Sequence, residues 1–141
     1  MYTDTIADML TRIRNIQLVK KSEVVLPYSK IKFNIAKILE ANGWLDKVEI
    51  LEPESKLKSG QSKINHFKQL KIKLSYLGQK PKIEHLKRIS KPGRRVYVSK
   101  DEIPTVLNGY GLAIISTSRG LMTNEEAKKA GLGGEIICEI Y

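Results

Sequence analysis

Leu112-Ala113-Ile114-Ile115-Ser116-Thr117-Ser118-Arg119-Gly120 is the stretch around which the rest of the chain falls into order. Its first four residues are apolar and two are β-branched, which predicts a strand buried on both faces. Within one residue the run changes to three hydroxyl side chains, one guanidinium and a glycine. Each hydroxyl donates and accepts hydrogen bonds, and arginine offers a planar fork of donors. A short polar loop held at the end of a rigid strand suits the reading of a polar ligand. It equally suits a turn whose hydroxyls satisfy their own backbone. Charge elsewhere in the chain favours the first reading.

Lys and Arg number 25 against 15 Asp and Glu, a net charge of +10 over 141 residues. The isoelectric point is near 9.7. Such an excess points to a polyanionic partner. From Lys80 to Lys100 stand Lys80, Lys82, Lys87, Arg88, Lys91, Arg94, Arg95 and Lys100, with Glu84 the single acid. Most of the net charge therefore sits in one short segment. A solvated Lys/Arg surface is the competing account of that density.

Apolar residues make up 41% of the chain, enough for a globular core and against wholesale disorder. No stretch approaches the roughly 18 uninterrupted apolar residues of a membrane span, so no membrane partner is expected. Asp4 and Asp8 open an amphipathic helix, which differs from the basic and then apolar start of a signal peptide. Cys138 is the only cysteine, so no internal disulfide can form. The expected location is the cytoplasm, or an organelle interior.

In chain order, Thr3, Asp4 and Thr5 are all acceptable N-caps, and Thr5 with Asp8 has the spacing of a capping box. Ile6, Met9, Leu10 and Ile13 then recur at helical spacing, with Arg12, Arg14 and Asn15 on the polar face to meet phosphate or water. Glu23 to Tyr28 reads as a strand near a sheet edge, closed by Pro27. Ser29 caps a second helix whose stripe is Ile31, Ile35, Ile38 and Leu39, ending at Asn42-Gly43. Lys30 and Lys32 lie in its first turn, where cations oppose the helix dipole, so they are candidates for another task. Trp44 to Leu51 and Leu70 to Tyr76 alternate as strands, with a long polar connection from Glu52 to Asn65. The first half is thus α-β-α-β-β.

The chain divides at residues 78–82, where Gly, Pro and polar residues cluster, leaving units at 1–77 and 83–141. Pro92-Gly93 has the residue order of a type II turn. Arg95 to Val98 follows as a strand in which Tyr97 either stacks on a base or ribose or is half-buried core. Pro104 to Asn108 makes one helical turn. Thr123 with Glu126 forms a second capping box, and the helix it starts runs to Ala130 and stops at Gly131. Gly133-Gly134 leads into a closing strand from Glu135 to Ile140, in which Cys138 reads as buried and inert. The fold class is α+β, with small sheets and short helices.

Catalytic and metal chemistry are not indicated. His66 and His85 are the only histidines, and neither has ligand spacing with Cys138. Ser116 to Ser118 lack a nucleophile elbow, and Gly109-Tyr110-Gly111 precedes a strand where a phosphate-cradling loop must follow one. No enzyme activity and no cofactor are expected.

Ile89-Ser90-Lys91-Pro92-Gly93-Arg94-Arg95-Val96-Tyr97, Ile103-Pro104, Val106-Leu107-Asn108-Gly109, Ser116 to Gly120 with Met122-Thr123, and Gly133-Gly134-Glu135 stand in a telling order. With Asp4 to Asn15 and Pro27-Tyr28-Ser29-Lys30, they resemble the bacterial small-subunit ribosomal protein S8 family over nearly the whole chain. The resemblance implies a two-domain α/β protein that binds the central domain of 16S rRNA early in assembly of the 30S subunit. It implies neighbouring small-subunit ribosomal proteins as partners and, in some members, binding and repression of the protein's own operon mRNA. The implied location is a ribosome, cytoplasmic or organellar.

Carried over by residue, Ser116, Thr117, Ser118, Arg119 and Gly120 would form the rRNA-contacting loop. Tyr97 would lie beside it, and Glu135 would orient it by accepting hydrogen bonds. Lys91, Arg94 and Arg95 would supply salt-dependent phosphate contacts, which position without specifying. Thr3, Asp4, Arg14, Lys30 and Lys32 would form a second RNA-facing surface. The chain departs from the family at Thr5, where proline is common, at Arg119, where lysine is expected, and at Tyr110 and Glu139. Glu52 to Phe67 is longer than in many relatives.

Overall fold

The computed structural model describes residues 4–52 and 68–141. Thr3 and most of the polar connection between Glu52 and Asn65 lie outside the described residues.

Helix α1 (Thr5–Leu18) buries Ile6, Met9, Leu10 and Ile13, the expected stripe. Its N-cap is Asp4, not Thr5. Asp4 is extended and accepts from the Ala7 N–H at 3.0 Å, while Asp8 pairs instead with Arg12 at 3.2 Å. Helix α2 (Lys30–Ala41) is capped by Ser29, as the sequence predicts, and Gly43 beyond it has a φ of 80°. Its buried face differs from the expected one. Lys32, Ile35, Ala36 and Leu39 are buried, whereas Ile31 is 39% exposed. Lysine tolerates that position in part because its methylene stem is apolar.

Strands β1 (Glu23–Pro27), β2 (Leu45–Leu51) and β3 (Gln69–Leu74) form an antiparallel sheet in the order β1-β3-β2. Pro27 lies on an edge strand, where its missing N–H is tolerated. The expected linker is itself folded. Strands β4 (Tyr76–Leu77) and β5 (Lys80–Pro81) pair across Gly78-Gln79, and the Tyr76 hydroxyl donates to the Lys21 carbonyl at 2.6 Å.

The second sheet contains β6 (Leu86–Arg88), β7 (Tyr97–Val98), β8 (Leu112–Thr117), β9 (Gly120–Thr123) and β10 (Gly134–Ile140). Its order is β6-β10-β8-β9, and β7 shares with β6 the outer edge of β10. Helix α3 (Asn124–Ala130) starts at the Thr123–Glu126 capping box and ends at Gly131 in the left-handed conformation, as expected. The single turn expected over Pro104 to Asn108 is instead a 3-10 turn at Leu107–Gly109. Lys91 and Arg94 exchange backbone hydrogen bonds of 3.0 and 2.9 Å. Gly93 does not take the positive φ of a type II turn, so that expectation fails.

The main core is continuous between the sheets. Met9, Leu10 and Ile13 of α1 and Leu70 and Ile72 of β3 belong to one cluster with Leu86, Ile114, Ile137 and Ile140. The 78–82 boundary separates the two sheets in sequence, while apolar packing crosses it. Ile115 and Ala127 form a smaller cluster where α3 covers β8.

Candidate nucleic-acid interface

Strand β8 runs two residues beyond its apolar part. Ser116 and Thr117 are therefore strand residues, and the expected loop shortens to the Ser118–Arg119 turn of a hairpin with β9. The Thr117 hydroxyl donates to the Gly120 carbonyl at 2.9 Å and accepts from the Arg119 N–H at 3.1 Å. For this hydroxyl, the backbone-satisfying account holds. Among the described residues, neither Ser116 nor Ser118 makes a side-chain hydrogen bond. Gly120 has a φ of 104°, and a Cβ there would meet nothing within 4 Å. The backbone at Gly120 is therefore open to close approach by a ligand.

Ser116 is paired with Glu135 on β10, and Glu135 with Tyr97 on β7. Directly opposed residues of an antiparallel ladder share a face, so Tyr97, Glu135 and Ser116 form one row across three strands. Gly134 permits this closeness, because a Cβ there would collide with the Ser116 carbonyl. Tyr97 is 68% exposed, which excludes a half-buried core role and leaves its ring available for stacking.

Glu135 holds a different loop from the one expected. Its carboxylate accepts from the Ser90 hydroxyl and, at 3.0 Å, from the Arg95 guanidinium, so it orients the 90–96 segment. The connection from β6 to β7 runs along the edge of β10, where the Ile89 and Ser90 N–H groups donate to the Ile137 and Ile136 carbonyls at 3.0 Å, whereas Ser116 meets Glu135 through the backbone ladder. Ser90 is fully buried and also accepts from the Val96 N–H at 3.1 Å. Burial pushes the Glu135 carboxyl upward, but the bonds from Ser90 and Arg95 outweigh it and hold the group below its ordinary value. Sequence reasoning passed over Ser90, although its place directly before Lys91-Pro92-Gly93 was the available signal.

Lys91, Arg94 and Arg95 are exposed, and only Arg95 has an acidic partner among the described residues. Arg88 belongs to the same basic run yet faces inward. It donates to Asp4 at 3.0 Å and to the Ile137 carbonyl at 2.7 Å, with 8% of its side chain exposed.

The N-terminal candidates divide. Arg14 and Lys30 are exposed, and Arg14 donates to Thr11 at 3.2 Å. Lys32 is 5% exposed. Its burial lowers the ammonium pKa; Asp8 opposes that shift and Arg12 adds to it. Asp4 is occupied by the Ala7 N–H and by Arg88. Thr3 lies outside the described residues.

Cys138 is buried, and desolvation pushes its thiol up to about 12. No group of three metal-ligating side chains occurs among the described residues, and no described helix is long and apolar enough to cross a membrane.

A family model described as "Ribosomal protein S8" matches residues 4–141. A "Small ribosomal subunit protein uS8" of Vesicomyosocius okutanii is 48% identical over 99% of this chain and 98% of its own length. Proteins with the same description from Hydrogenovibrio crunogenus and Janthinobacterium sp. are 47% and 45% identical, each over 98% of this chain and 97% of its own length.

Proposed function

The chain belongs to the ribosomal protein S8 family, and we propose that it serves the small ribosomal subunit by binding the central domain of 16S rRNA through the β8–β9 hairpin. The protein is a structural constituent of the ribosome and not an enzyme. The observation that supports the proposed surface is the Tyr97–Glu135–Ser116 row, which ends beside two uncommitted hydroxyls and the open backbone of Gly120.

The chemistry of such a surface suits an RNA helix. An A-form helix hides its base edges in a deep major groove and displays 2′-hydroxyls in a wide, shallow minor groove. Small hydroxyl side chains and bare backbone can enter that groove, and Tyr97 can stack on a base displaced from an irregular helix. Lys91 and Arg94 then neutralise phosphates flanking the contact, which adds affinity without sequence information. Glu135 can stand near phosphate because the Arg95 guanidinium offsets its charge, donating together with Ser90 to one carboxylate oxygen. Arg14 and Lys30 form the second RNA-facing surface, on a unit comprising residues 1–77.

The test is binding of the purified protein to central-domain rRNA fragments across a salt series, against a scrambled helix of equal length. Tight binding to one fragment that outlasts the scrambled helix as salt rises supports the assignment. Equal binding to both, lost together, overturns it. Its own operon transcript, added as competitor, displaces the rRNA fragment if that message imitates the same helix.

A further inference from the structure

Helix α1 carries Arg14 and packs beside α2, which carries Lys30, yet it is fastened at both ends to the other half of the chain. At its start Asp4 takes both the Ala7 N–H and the Arg88 guanidinium, whose Nε lies 3.0 Å from one carboxylate oxygen and 3.4 Å from the other. A second Arg88 nitrogen donates to the Ile137 carbonyl, so the arginine bridges α1, β6 and the middle of β10. Near the other end Gln17 donates to the Ile83 carbonyl at 3.5 Å. The Arg88 and Asp4 side chains are 8% and 13% exposed. A pair so withdrawn from water costs desolvation, and it holds one geometry because breaking it strands a buried charge.

We infer that Arg88 and Asp4 are positioning residues that lock the Arg14–Lys30 surface at a fixed distance from the Ser116–Gly120 hairpin, so that the protein measures the spacing of two RNA contact points. The inference rests on the RNA-binding reading above and extends it. Along α1, Arg14 stands ten residues from Asp4, about 15 Å by helical rise. A small tilt at the clamp therefore displaces the cation by several ångströms. The continuous core fixes which faces meet, but apolar packing is non-directional. The charge-assisted bond from Arg88 Nε to the Asp4 carboxylate, together with its second bond to the Ile137 carbonyl, supplies the direction.

The experiment is a mutant cycle on the full chain, read as affinity for the central-domain rRNA fragment. Arg88→Gln and Asp4→Asn each remove the ion pair, and asparagine at position 4 keeps an acceptor for the Ala7 N–H. Each is combined with Lys30→Ala and with Ser118→Ala. The expected result is a loss of about tenfold for either clamp variant, within the range of coupling between linked sites. Lys30→Ala then has no further effect in the clamp variants, while Ser118→Ala keeps its full cost. Residual dipolar couplings of the free protein provide a readout independent of RNA: residues 5–52 should lose their fixed orientation relative to residues 83–141 in Asp4→Asn and in Arg88→Gln, and Arg88→Lys, which keeps the charge opposite Asp4, should retain it in part.

An equal cost of Lys30→Ala with and without the clamp, or an unchanged orientation, overturns the inference while leaving the RNA-binding reading intact. If Lys30→Ala is already neutral in the unaltered protein, the N-terminal surface is not an RNA contact, and both the inference and that part of the reading fall.

Discussion

The buried hydroxyl of Ser90 donates to the carboxylate of Glu135 and so ties the exposed basic turn at Lys91–Arg94 to the strand that lies against Ser116. The turn's cations and the hairpin's hydroxyls are thereby mounted on one sheet. Under the proposed RNA-binding reading, this mounting lets phosphate-neutralising cations and groove-reading hydroxyls meet the same RNA helix.

Ser90→Ala tests that link. It deletes a charge-assisted bond and leaves the Val96 N–H without its acceptor, a loss of about 1–3 kcal/mol of stability by urea unfolding. In the same variant the Glu135 carboxyl titrates closer to 4.5, its ordinary value, as followed by carboxyl carbon NMR.

The pH dependence has a definite sign. The folded Glu135 pKa lies below 4.5, so the stability it contributes is whole above that pH and is lost as pH falls through the lowered folded value. Glu135→Gln is therefore less stable than the parent at neutral pH, and its stability falls less steeply on acidification below 4.5. Parallel curves for the two proteins would sink this account of Glu135.

Gly134→Ala places a Cβ against the Ser116 carbonyl and forces β10 away from β8. Overpacking of this kind costs about 1–3 kcal/mol. Thermal unfolding measures that cost, and amide exchange should quicken at Ser116 and Glu135.

Thr117 and Ser118 are neighbours with different duties. Thr117→Ala removes two bonds that close the hairpin turn and lowers stability by about 1 kcal/mol. Ser118→Ala removes no internal bond and leaves the melting temperature unchanged. Equal melting shifts for the two would show that Ser118 has a structural partner.

What was legible in the sequence was local. Helix α3 could be placed because Thr123, Glu126 and Gly131 each act within a few residues of the helix end. The buried run of β8 followed from four apolar residues in succession, and the face of α1 from simple periodicity. Strand β9 escaped notice because Gly120–Thr123 is four residues long and owes its extended form to pairing with β8. Residues 78–82 have the composition of a linker, and only the β4–β5 pairing shows them folded. The rotated face of α2, with Lys32 inward and Ile31 outward, depends on where the rest of the core lies. At the candidate site, the Ser116 to Gly120 segment could be read directly. The inward turn of Arg88 could not, because its partner Asp4 is 84 residues away in sequence.

The most direct measurement is the affinity of Ser116→Ala/Ser118→Ala for a central-domain 16S rRNA fragment and for a scrambled helix, across a salt series. The prediction is a loss of about 2–3 kcal/mol for the fragment alone, as expected for two small polar contacts, with an unchanged salt slope because no phosphate contact is removed. Undiminished discrimination between the two RNAs would contradict the assignment of the β8–β9 hairpin as the RNA-reading element.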